Sequence, residues 1–297
     1  MQKIDIHVHT IPEKGLLRPS GDTFATPEEL FEMYEQLGVE KAVLLPVISP
    51  EGQTDTNTNR EILGIVRQYP DRFYWFCNID PRQGDNSETT DFAQMLAYYK
   101  EQGAAGLGEV TANLPMDDPR VEALMAACEE RKLPVTIHIG DLGGDYGLVD
   151  SLGLPKLEKL LQKFPKLILL GHSQKFWSEI SADVTEELRS KAPKGPVIPG
   201  GRIPELMRKF PNLCGDLSAG SGCNAMMRDP DFGYAFMEEF QDRLFYGTDI
   251  CSPRDITHTR VKLGPFMEQG VAEGKLSREA CEKICRGNAL RLLEGRW

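Results

Sequence analysis

Short apolar runs alternate with stretches of helical periodicity along the whole chain. The runs are Lys3–His9, Lys41–Val47, Phe73–Ile79, Ala104–Val110, Pro134–Ile139, Lys166–His172, Asn212–Leu217 and Arg243–Asp249. Most are nearly all apolar rather than alternating, which is the pattern of parallel strands covered on both faces. Between them the spacing predicts helices over 27–37, 57–69, 88–102, 119–131, 155–164, 202–210, 230–241 and 277–293. The first helix is punctuated at both ends. Thr26 stands at the N-cap, Pro27 at the first helical position, Glu28 and Glu29 in the first turn, and Gly38 just past the end. Three helices close on one phrase, Arg67-Gln-Tyr-Pro70, Gln162-Lys-Phe-Pro165 and Arg208-Lys-Phe-Pro211. In each, the proline stops the helix before the next strand.

Eight strand–helix alternations in one chain predict an α/β fold, a (β/α)8 TIM barrel, with residues 1–297 as a single domain. A doubly wound nucleotide-binding sheet is the weaker reading, because no GxGxxG or GxxxxGK[ST] follows any strand. Segments 10–26 and 173–201 are too long to be simple connections. Both leave from strand C-terminal ends, the face on which barrel enzymes keep their sites, so they are expected to act as lids or substrate loops.

Composition narrows the function. The chain has 297 residues and a net charge of −11, from 45 acidic and 34 basic residues. This balance argues against a broad phosphate-binding surface, and no nucleic-acid partner is expected. No apolar run approaches 18 residues, which argues against a membrane span. The first residues lack an apolar leader, and the seven cysteines are odd in number without CxxC spacing. Reduced thiols in a cytoplasmic protein are expected, with Cys281 and Cys285 read as core packing.

The histidines carry the chemistry. There are five, and His7, His9, His138 and His172 stand at or near strand C-terminal ends. Residues two apart on a strand share a face, so His7 and His9 both point into the barrel mouth with Val8 turned outward. Imidazoles about 6–7 Å apart along a strand can converge on one ion. Asp249 ends the eighth run and faces the first strand once the barrel closes. It reads as a metal ligand and proton acceptor, or as a helix N-cap. Glu109 ends the fourth run and reads as a bridge between metals, or as a structural ion-pair partner. Asp216 reads as a partner of such a ligand or as an N-cap.

The set His7-x-His9, Glu109, His138, His172 and Asp249, in the segments IDIHVHT, GLGEV, VTIHIG, LLGHSQ and FYGTDIC, resembles the amidohydrolase superfamily. The likeness is to its amidohydrolase-related branch, which includes hydrolases and aminocarboxymuconate-semialdehyde-type decarboxylases. The resemblance implies a divalent ion, usually Zn²⁺, on His7, His9 and Asp249. It implies a second ion on Glu109, His138 and His172 if the chain follows the two-metal members. In one-metal decarboxylases the His138 position is a ligand and the His172 position catalytic, so one or two ions remain open. The implied reaction is attack of metal-activated water on a small amide, ester or lactone carbonyl, with Asp249 and His172 catalytic. The alternative is non-oxidative decarboxylation of a small carboxylic acid. A two-metal nuclease lacks the basic surface it would need, and a non-catalytic binding barrel predicts no bound metal. Related barrels often dimerise, so a homodimer is compatible with the resemblance.

Loop residues add less. Arg18, Lys175, Trp177 and Arg202 are candidates for an anionic or aromatic substrate, or for solvated surface. The glycines from Gly140 to Gly147 suggest a mobile loop. Cys251 reads as a bystander thiol, and His258 as part of the last barrel loop.

Overall fold

A computed structural model describes residues 1–51, 54–144 and 146–297. Eight parallel strands form the barrel: β1 (Lys3–Val8), β2 (Val39–Leu44), β3 (Phe73–Trp75), β4 (Leu107–Val110), β5 (Val135–Gly140), β7 (Leu169–His172), β8 (Leu213–Asp216) and β9 (Leu244–Phe245). A short extra strand, β6 (Leu148–Val149), pairs with β5 outside the ring. Strands β1 to β3 form one ladder and β4 to β9 another. The bridges Cys77↔Leu107 and Val8↔Ile250 join the two ladders into a closed (β/α)8 barrel. Closure removes every sheet edge.

The helices begin and end where the punctuation predicts. Thr26 and Glu29 form a reciprocal capping box, and Gly38 closes that helix in the left-handed conformation. Tyr69, Phe164 and Phe210, the aromatics of the repeated phrase, each end a helix by donating a backbone N–H to the carbonyl four residues back. The predicted helix 277–293 is broken by one wide turn at Lys283–Gly287, where Tyr246 N–H takes the carbonyl of Ile284. Helix Gln174–Ser178 lies in the segment read as a loop, and helices Ala219–Met227 and Leu263–Ala272 lie where the spacing predicts no helix. No helix among the described residues is long and apolar enough to cross a membrane.

Inward-facing Ile4, Ile6, Val43, Leu45, Phe76, Leu170, Cys214 and Phe245 fill the barrel below its mouth. Their neighbours Leu44, Trp75, Leu169 and Leu213 pack outward against the helices. Ile4 and Ile6 share this interior with His7 and His9, which strict alternation forbids. The register explains it: Asp5 pairs with Ala42 but Val8 with Leu44, so β1 carries one extra residue. This bulge flips the alternation between Ile6 and His7. The N–H of His7 that it displaces is taken by Asp5 Oδ1 at 3.1 Å. The same carboxylate accepts Thr248 N–H at 2.9 Å, the Thr248 hydroxyl at 2.5 Å and the Tyr34 hydroxyl at 2.8 Å. Strand β4 has a matching irregularity, with Leu107 opposite Val135 and Val110 opposite Ile137, where Glu109 turns inward.

The long segment 173–201 is anchored rather than free. Arg189, fully buried, faces Glu179 at 2.9 Å, and Glu179 also accepts Gly153 N–H at 2.9 Å. Arg189→Met should cost about 3–5 kcal/mol, because it leaves Glu179 as an unpaired buried charge. Urea denaturation measures that cost, and an unchanged midpoint would remove the pair as an anchor.

Candidate metal centre

All six ligand candidates converge on the barrel mouth. His7 Nε2 and His9 Nε2 face each other at 3.1 Å. Asp249 Oδ1 lies 3.8 Å from the first and 3.5 Å from the second. Glu109 Oε2 lies 3.6 Å from both. Its other oxygen, Oε1, sits 2.7 Å from His138 Nδ1 and 3.6 Å from His172 Nε2. One carboxylate thus spans two histidine pairs. His138 and His172 are direct cross-strand partners on β5 and β7, which brings their imidazoles side by side.

The far side of each imidazole determines what its near side offers. His9 Nδ1 donates to the Leu45 carbonyl at 2.9 Å. His7 Nδ1 lies 2.6 Å from Asp216 Oδ2, and both residues are fully buried. His172 Nδ1 lies 3.0 Å from Ser218 Oγ. With Nδ1 engaged, the Nε2 atoms of His7 and His9 face the mouth, the orientation that a metal ligand needs. Two ring nitrogens this close share a cation, either a proton or a metal ion. Ligands about 2.0–2.1 Å from Zn²⁺ in a tetrahedron stand about 3.3–3.4 Å apart. The spacings of His7 and His9 from each other, from Glu109 and from Asp249 bracket that value, so these residues fit a divalent ion.

The charges agree. Burial alone would raise the carboxyl of Glu109, but His7 and His138 hold it well below its usual range. Asp216 is likewise kept ionised against burial by His7 and His172. Burial disfavours a charged His7, yet Asp216 and Glu109 outweigh it and raise its pKa well above the ordinary imidazole value. Asp249 is lowered despite burial by Arg260, then by His7, His172 and His9. Behind the site, burial lifts the Asp5 carboxyl to about 6.

Asp249 is placed by an unusual backbone. Its φ is +53°, a left-handed conformation that Asp tolerates better than most residues. Its N–H donates to His7 O at 2.8 Å, and Arg260 donates to its carbonyl. The end of the eighth strand is thereby tied to the first.

A cavity of about 210 Å³ opens above the cluster, and Arg18, Phe24, Tyr146, Cys251, Asp255 and Arg260 are among the residues lining it. Arg18 therefore belongs to the site and stacks over Phe24 at 4.5 Å. The other loop candidates do not. Lys175 is buried against Asp141 at 2.5 Å, and the Trp177 indole donates to Asp216 O at 2.8 Å. Arg202 pairs with Glu158 and Glu205, and His258 Nδ1 accepts Arg260 N–H at 3.3 Å. Tyr146 and Arg260 were not identified from the sequence. Tyr146 stands 4.5 Å from His138, ring to ring. Its signal was the glycine after it. Gly147 has φ +112°, and a Cβ there would fall 2.8 Å from His138 Cδ2, so this glycine lets the loop lie on the imidazole. The loop is tied by Gly147 N–H to Thr111 O at 2.7 Å and by Asn113 to Asp141 O at 2.7 Å.

A family model described as Amidohydrolase matches residues 4–295. No curated protein matches the chain. The chain is similar to an uncharacterized TIM-barrel protein from Bordetella bronchiseptica, with a TM-score of 0.68 and 20% identity over 100% of this chain and 99% of that one. It is also similar to a probable 2-pyrone-4,6-dicarboxylic acid hydrolase from Acinetobacter baumannii with citric acid bound, with a TM-score of 0.56 and 17% identity over 99% and 100% of the two chains. A third similar structure is 5-carboxyvanillate decarboxylase from Sphingomonas paucimobilis, with a TM-score of 0.60 and 15% identity over 99% of each chain. At these identities the likeness carries the fold alone.

Asp216→Asn keeps the shape of the His7 partner but removes its charge. It should weaken divalent-ion affinity by about 10–100-fold, measured by chelator competition on folded protein. Equal affinity in the variant would show that Asp216 does not support His7 as a ligand.

Proposed function

The chain belongs to the amidohydrolase family, and from that premise we propose that it is a metal-dependent hydrolase of a small amide, ester or lactone. The observation that carries this reading is Glu109, whose two oxygens face two separate histidine pairs. His7, His9, Asp249 and Glu109 would hold one ion, and Glu109, His138 and His172 a second. Zn²⁺ suits such imidazole and carboxylate donors. A divalent ion there supplies positive charge that polarises a carbonyl oxygen and acidifies water.

The chain's own groups do the rest. Asp249, kept ionised, takes a proton from water in the cavity and returns it to the leaving group. His172, steadied at Nδ1 by Ser218, directs Nε2 to the second ion position, beside which the reacting carbonyl would lie. Arg18 and Arg260 on the cavity wall orient an anionic end of the substrate. The small cavity suits a small-molecule partner. We assign these roles to residues 1–297 as one barrel domain.

The arginines also support a second reading, non-oxidative decarboxylation, since they would hold a substrate carboxylate. The full-length likeness to a decarboxylase is in keeping with it. The two reactions differ in product. A panel of amides, esters, lactones and aromatic acids should release carboxylic acid from the first three and no CO₂ from the last. CO₂ release without hydrolysis would overturn the hydrolase reading in favour of the second.

Elemental analysis should find two divalent ions per chain, falling to one or none in Glu109→Ala. A single ion in both proteins would refute the bridging role. Asp249→Asn should lower kcat by about 10²–10⁴-fold while leaving the circular dichroism spectrum unchanged. Near-normal turnover in that variant would remove Asp249 as the proton acceptor.

A further inference from the structure

At the opposite end of the barrel, three sulfur atoms meet. Cys281 Sγ lies 4.0 Å from Cys285 Sγ and 3.8 Å from the Met1 thioether. Both cysteines are fully buried, whereas Met1 is 42% exposed as a residue and 18% on its side chain. The grouping is held from three directions. The Met1 amine reaches Glu268 at 3.3 Å, and Lys3 Nζ donates to Met1 O at 3.2 Å, which pins the start of the chain. Cys281 lies in the short helix Arg278–Glu282, and Cys285 stands in the wide turn Lys283–Gly287 that follows. That turn is fixed by Tyr246 N–H on Ile284 O at 2.9 Å.

We propose that Cys281, Cys285 and Met1 form a soft-cation site that takes Cu(I), separate from the histidine centre. Bonds of about 2.3 Å from an ion to three sulfurs in a plane place those sulfurs about 4.0 Å apart, and the two spacings from Cys281 Sγ match it. Two thiolates and a thioether select a soft ion over the hard or borderline divalent ions that suit the barrel mouth. The nearby carboxylate, Glu268, is occupied by Lys3 Nζ at 2.8 Å and by the chain amine. A surface depression of about 630 Å³ lined by Met1, Glu279, Glu282, Lys283 and Arg286 gives an approach from solvent. Binding displaces the thiol protons to water and changes no oxidation state.

The test is anaerobic titration of the full-length, Zn²⁺-loaded protein with Cu(I) against a chromogenic chelator, with all thiols reduced beforehand. The wild type should withdraw one equivalent. Cys281→Ser and Cys285→Ser should each lose affinity by more than the roughly 10–100-fold typical of an outer-shell partner. Cys251→Ser, at the barrel mouth, should keep it. A second readout works if the serine variants fold poorly: Cu(I) should protect Cys281 and Cys285 of the wild type from alkylation while Zn²⁺ content stays constant. Failure of the wild type to withdraw Cu(I), unchanged affinity in both serine variants, or alkylation of both thiols with Cu(I) present would overturn the site.

Discussion

The candidate metal centre depends on a buried carboxylate that is not one of its candidate ligands. Asp5 holds an extra residue in β1 by accepting the His7 N–H that the bulge leaves without a ladder partner. Without the bulge, period-two alternation would force a choice. Either Ile4 and Ile6 would fill the barrel interior, or His7 and His9 would face the mouth. With it, one strand supplies both a hydrophobic floor and two imidazoles at the mouth. A buried backbone N–H without a partner would cost about 1–3 kcal/mol, so the bulge persists because Asp5 satisfies it. The same carboxylate binds Thr248, next to Asp249, and so couples the first strand to the last.

The cluster is a balance of charge in a region with little water. Glu109, Asp216 and Asp249 face four imidazoles, and each carboxylate is stabilised in its ionised form by those rings. Asp216 and the Leu45 carbonyl act from behind, fixing which nitrogen of His7 and His9 faces the mouth. Donors oriented this way already face the position a cation would take. The substrate side is made differently. Arg18, Tyr146 and Arg260 come from loops after β1, β5 and β9, and each is tied locally by packing or hydrogen bonds. The division between strand-borne ligands and loop-borne cavity walls is how one barrel supports many substrates.

Much of this was legible in one dimension. The fold followed from the regular alternation of buried-strand runs with capped, proline-terminated helices, because local periodicity reports directly on local structure. The candidate ligands followed from ionisable residues at the ends of apolar runs, where a barrel brings strand ends together. The weaker readings failed for a common reason. Lys175 and Trp177 sit in a long segment read as loop and Arg202 just after it, and nothing in their neighbourhood shows that Asp141, Asp216 O and Glu158 lie beside them in space. Strand ends were overextended as well. The run Arg243–Asp249 is strand only at Leu244–Phe245, because the chain turns early to bring Asp249 round to His7.

The sequence by itself determined the barrel, the order of its strands and the kinds of atoms collected at its mouth, since these depend on residue type and spacing. The tertiary structure alone decided the bulge in β1, the pairing of His7 with Asp216, the two-sided reach of Glu109 and the entry of Tyr146 and Arg260 into the cavity. Each of those joins residues distant in sequence at separations of a few ångströms. Periodicity specifies which face of an element a side chain occupies, whereas contacts of that kind exist only after the barrel closes.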